Sequence, residues 1–118
     1  MRLSELLYWD MLSDLVSDDF GTWEFAWRAN TLAGGATEES RAAAADVIRR
    51  LIVEGLAEVV DRDTGRPVPI ERVTKVLGDH GWAKAEPTVM MTVHALDKAD
   101  GRILEMPQEA ADAINEAE

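Results

Sequence analysis

The side chains able to ionise, ligate or attack are few and badly spaced for catalysis. There are two histidines, His80 and His94, and no His-x-x-x-His pair. His94 falls in an alternating stretch and reads as a hydrogen-bonded, half-buried strand residue; His80 falls at a helix end. The absence of cysteine removes a thiolate nucleophile, a disulfide framework and a thiolate zinc site. No serine occupies a Gly-x-Ser-x-Gly nucleophile elbow. Ala33-Gly34-Gly35-Ala36 lacks the lysine of a phosphate-binding loop and the strand that precedes a dinucleotide site. Carboxylates are plentiful but unpaired by any motif, so a hydrolase using them ranks low. The expectation is a non-enzymatic protein with neither metal nor cofactor.

Charge is the remaining chemical resource. The 118 residues carry 23 acids and 12 Lys and Arg, a net charge of −11. The excess lies at the two ends. Residues 1–20 contain one base and five acids, and so do residues 101–118. Asp10, Asp14 and Asp18 recur every four residues and form an acidic line on one helix; Glu109, Asp112 and Glu116 form another near the C-terminus. A field of this sign repels nucleic-acid phosphates and steers basic partners. These six residues are therefore the candidate surface for a basic protein partner.

The elements that must position these groups follow from hydrophobic period. Leu3, Leu6, Leu7, Met11, Leu12, Leu15 and Val16 predict a helix from Leu3 or Ser4 to Val16. A second helix is expected from Thr22, as its cap, to about Thr31. Trp23 and Trp27 share one of its faces, read as core rather than pocket and widened by Phe25 and Ala29. Thr37 caps a third helix whose stripe is Ala44, Val47, Ile48, Leu51 and Ile52, with Gly55 as its stop. Leu56 to Asp61 reads as a strand, Asp63-Thr64-Gly65-Arg66 as a turn, and Pro67-Val68-Pro69 as an edge segment. Ile70, Val73, Val76 and Leu77 predict a fourth helix ended by Gly78 and Gly81. Thr88 to Leu96 alternates as a central strand. From Leu96 to Leu104 two readings compete: a hairpin through Asp100-Gly101, or a helix. Pro107 starts a last helix to about Ala117, with Ala110, Ala113, Ile114 and Ala117 facing in.

The run Asp46-Val-Ile-Arg-Arg-Leu-Ile-Val-Glu-Gly-Leu-Ala-Glu-Val-Val-Asp61 resembles the end of the third helix, the corner and the first wing strand of a winged helix-turn-helix domain. Phe20-Gly-Thr-Trp-Glu-Phe-Ala-Trp27 resembles the second-helix entry of small actinobacterial and phage proteins of that type. The resemblance covers about residues 3–69. It implies an α+β, winged-helix-like single domain: a three-helix core with a small β wing or sheet. Residues 70–106 are an added helix and strands, and 107–118 a C-terminal helix and tail. It also implies two functions. One is a protein-interaction module, an immunity protein or a regulatory adaptor. The alternative is a DNA-binding transcriptional regulator, with the third helix in the major groove and Arg41, Arg49, Arg50, Arg62 and Arg66 as its contacts. The third helix opposes those arginines with Glu38, Glu39, Asp46 and Glu54, which favours the interaction module. No run approaches the roughly 18 apolar residues of a membrane span, and no signal-peptide pattern precedes Asp10, so a cytoplasmic location is expected.

Overall fold

The computed structural model describes residues 1–79 and 91–117. His80, Gly81 and the start of the strand expected at Thr88 lie outside the described residues. The chain order is α1 (Leu3–Leu15), β1 (Phe20–Gly21), α2 (Thr22–Ala33), α3 (Glu38–Val53), β2 (Ala57–Asp61), α4 (Ile70–Asp79), β3 (Met91–Ala95), α5 (Lys98–Ile103) and α6 (Gln108–Ala117). This is an α+β architecture. No described helix is long and apolar enough to cross a membrane.

The helix ends follow from their capping chemistry. Thr37 Oγ1 accepts from the Ser40 amide at 3.1 Å, and Ser40 Oγ accepts from the Thr37 amide at 2.9 Å. These two bonds satisfy donors left open at the start of α3. Gly55 ends α3 at φ 73°, a left-handed conformation that a Cβ would strain. At α2 the cap differs from expectation. Gly21 takes that position, its amide donating to Glu24 Oε2 at 2.6 Å, while Thr22 is buried in the first turn.

The helices α1, α2 and α3 pack together around Leu7, Met11, Leu12, Phe25, Val47, Ile48 and Leu51. The sheet closes one side of this core in the order β1-β3-β2, all antiparallel. β3 is central, as expected from the largely apolar residues on both faces of the 88–96 stretch. Phe20 pairs with Val93, and Val59 pairs with Val93 from the other edge. Ala57, Val59, Met91 and Val93 face inward. Glu58, Val60, Thr92 and His94 take the opposite, half-buried face, because successive strand residues alternate. Beyond β2, the turn with Gly65 at φ 70° folds the chain back. Pro67 then bridges Val60, and the Val68 amide donates to the Val59 carbonyl at 2.8 Å.

Between the two readings of Leu96 to Leu104, the chain takes the helix. Asp100-Gly101 lies inside α5 and forms no hairpin. Ala99 is fully buried there, and Ile103 packs on the core. α6 lays Ala110 and Ile114 against the core and packs on α1, which brings the two ends of the chain together.

Candidate functional site

The acidic line expected on α1 is divided by the fold. Asp10 is only 2% exposed. Arg28, in the middle of α2, reaches both Asp10 Oδ1 at 2.9 Å and Asp14 Oδ2 at 2.8 Å. Burial works against the Arg28 charge, but the hydrogen bond to Asp14 and the Asp10 carboxylate outweigh it and hold the guanidinium above its ordinary pKa. Asp10 therefore points inward, not to solvent. Of the three, Asp18 alone is fully on the surface, where Oδ1 accepts from the Asp19 amide at 2.8 Å. The C-terminal trio behaves differently. Glu109, Asp112 and Glu116 are all exposed on α6. Glu109 lies 3.7 Å from the N-terminal amine, and Asp112 accepts from Gln108 Nε2 at 2.9 Å.

The candidate nucleic-acid face is also divided. Arg41 and Arg49 are exposed on α3, and Arg62 and Arg66 are exposed on the turn after β2; none has an ion-pair partner among the described residues. Arg50 is diverted inward. It contacts Glu5 at 2.7 Å and Glu54 at 3.2 Å, and its guanidinium lies 3.7 Å from the Tyr8 ring centroid.

Tyr8 is the hub of that cluster. Its hydroxyl donates to Glu54 Oε1 at 2.6 Å and accepts from Arg102 Nε at 3.0 Å. Trp9 meets its ring edge-on at 4.9 Å, and Arg102 lies 4.8 Å over Trp9 while also pairing with Glu105. Burial and the bond to Glu54 raise the phenol pKa, and the bonds to Tyr8 and Glu105 raise that of Arg102. The cluster joins α1, α3 and α5. Its groups pair with one another across three helices, so it reads as a structural tie.

A third place was not foreseen in the sequence. The outward face of the sheet and the start of α2 enclose an open groove of about 580 Å³, lined by Asp19, Gly21, Trp23, Glu24, Val60, Arg62, Thr92 and His94. His94 Nε2 lies 2.7 Å from Glu58 Oε1, directly across the β2–β3 ladder. Trp23 packs so closely on Gly21 that a Cβ there would stand 2.5 Å from the indole Nε1. Trp27 meets Trp23 edge-to-face, with centroids 4.4 Å apart at 73°.

Trp27 is 53% exposed, which corrects the reading of the tryptophan face as core. The reason is angular. A two-residue step turns a helix by about 200°, so Phe25 and Ala29 cannot widen the face of Trp23 and Trp27. Thr22, Phe25, Ala26 and Ala29 form the buried face, and the tryptophans are left at the surface. Among the described residues no group of His, Asp and Glu is arranged to hold a metal ion. No protein-family model, no curated protein and no solved structure matches this chain.

Proposed function

We propose that this chain is a non-enzymatic, winged-helix-type interaction module of the cytoplasm that binds a basic protein, as an immunity protein or a regulatory adaptor would. The order α1, α2, α3, β2, glycine turn and returning extended segment supports the winged-helix reading. One observation carries the choice of partner. Arg50, the cation of α3's last turn, is spent on Glu5, Glu54 and the Tyr8 ring. The rest of the exposed helix surface sets Arg41 and Arg49 against Glu38, Glu39 and Asp46. DNA affinity grows with the number of phosphates neutralised, and the four exposed arginines, counting Arg62 and Arg66, are matched by as many exposed acids once Asp63 on the turn is included. The acids on α6 and at Asp18 remain open to solvent.

A DNA-binding regulator is the second reading, favoured by the exposure of Arg41, Arg49, Arg62 and Arg66. Fluorescence anisotropy separates the two. A labelled basic peptide should bind at low salt and weaken as salt is raised, whereas duplex DNA should show no binding at physiological salt. Sub-micromolar, salt-sensitive DNA binding that is lost in the Arg49→Ala/Arg62→Ala variant would transfer the assignment to the regulator.

A further inference from the structure

We propose that the Trp23–Trp27 pair and the groove beside it are the docking surface for arginine side chains of the basic partner. The inference rests on the interaction-module reading and gives it a place and a chemistry.

Trp27 is the starting point. It sits mid-helix with half its surface in water, while α2 buries the much smaller Ala26 and Ala29. Exposed tryptophan is favoured at protein interfaces, where it supplies a large contact area for little lost side-chain freedom. Its ring is not adrift. It leans on Trp23, and Trp23 is itself seated on the Gly21 backbone, so the pair is a preset platform.

The charges around the platform select the occupant. Asp19, Glu24 and Arg62 are the charged residues that line the groove, with His94 beside them. A second hollow of about 210 Å³, which shares Glu24 with the groove, includes Met11, Trp27 and Arg28. Arg28 is already bound by Asp10 and Asp14, so that cluster is net negative. The groove therefore sets Asp19 and Glu24 against Arg62, and the hollow sets Glu24 beside an arginine already held by two carboxylates. An indole face bordered by carboxylates attracts a cation through the ring quadrupole and through direct pairing. Arginine suits it better than lysine, because a planar guanidinium stacks on an aromatic face and is more weakly hydrated than an ammonium.

The test compares an arginine–glycine peptide with its lysine–glycine counterpart of equal charge, using calorimetry and the indole N–H signals of the intact protein. The arginine peptide should bind several-fold tighter and shift the Trp23 and Trp27 signals. Trp27→Ala should weaken it about tenfold and erase the preference over lysine. Trp27→Phe should keep part of that preference, and Asp19→Lys should weaken both peptides. Equal binding of the two peptides, untouched by Trp27→Ala but weakened by Asp112→Lys/Glu116→Lys, would overturn the docking site and leave the basic-partner reading standing. No binding of either peptide would overturn both. A wild-type dimer that dissociates on Trp27→Ala would give the tryptophan pair to a second copy of the chain, and would also overturn the proposal.

Discussion

Removing the Asp10 carboxylate would leave the Arg28 guanidinium paired with the more exposed Asp14 and open a gap at the edge of the core. Losing a buried, charge-assisted hydrogen bond costs about 1.5–3 kcal/mol, so Asp10→Ala should lower the urea midpoint clearly. Asp14 is far more exposed, and Asp14→Ala should cost under about 1 kcal/mol. Similar losses in the two variants would show that Arg28 does not depend on Asp10. Charge reversal across Asp10, Asp14 and Asp18 is accordingly no test of a partner surface, since Asp10→Lys would face Arg28. Tyr8 gives a second test at this scale. It is the chain's single tyrosine, so phenol absorbance reports it alone. Its folded pKa is raised above the ordinary value of about 10. Between the unfolded and folded pKa the unfolded chain loses its proton first. Stability is therefore unaffected by Tyr8 below about pH 10 and falls as pH rises through that window. The phenolate signal should appear above pH 10 and together with unfolding; a titration at the free-tyrosine pH in the folded state would contradict the burial of Tyr8.

Single elements carry losses of another kind. Leu51 is fully buried where α3 meets α1, and Leu51→Ala should cost about 2–5 kcal/mol in a chemical melt. Gly21→Ala is aimed at the β1–α2 corner. Its Cβ would press on the Trp23 indole, so the Trp23 indole N–H signal should move while the Leu51 methyl signals stay in place. An unchanged indole signal would mean that the ring is not seated on Gly21. The extents of α1, α3 and β2 were legible from hydrophobic period and caps, because each buries one clear stripe. The hairpin reading at Asp100-Gly101 failed because a turn-forming pair is only a local preference, and Ala99 and Ile103 bury more apolar surface as a helix. β1 was not legible at all. Two residues, Phe20 and Gly21, show no alternation, and their strand character comes wholly from pairing with β3.

For the molecule as a whole, the candidate acidic surface was half legible. Helical spacing finds the acids of α6, which the fold leaves in water, but cannot reveal that Arg28, distant in sequence, withdraws Asp10 from the other line. The tryptophan groove was invisible because it is assembled from α2, β2 and β3. If carboxylates drive partner binding, affinity for a basic peptide should fall as the pH is lowered toward the isoelectric point of about 4.5. Peptide affinity that is flat across this range would argue against an electrostatic partner surface.

The sheet order has a consequence for synthesis on the ribosome. β1 and β2 flank β3 and do not pair with each other, yet both are made long before it. While residues up to Asp79 are emerging, two strand edges and the inward side chains of β2 have no ladder to join. A nascent chain stalled before Met91 has left the exit tunnel should therefore remain open to protease between α3 and α4. The same chain stalled after Ala95 has emerged should become resistant. Early resistance would mean that the helices alone can shelter β2. The middle strand acts as a latch on a half-built domain, and the interval before it arrives is when a chaperone would have something to hold.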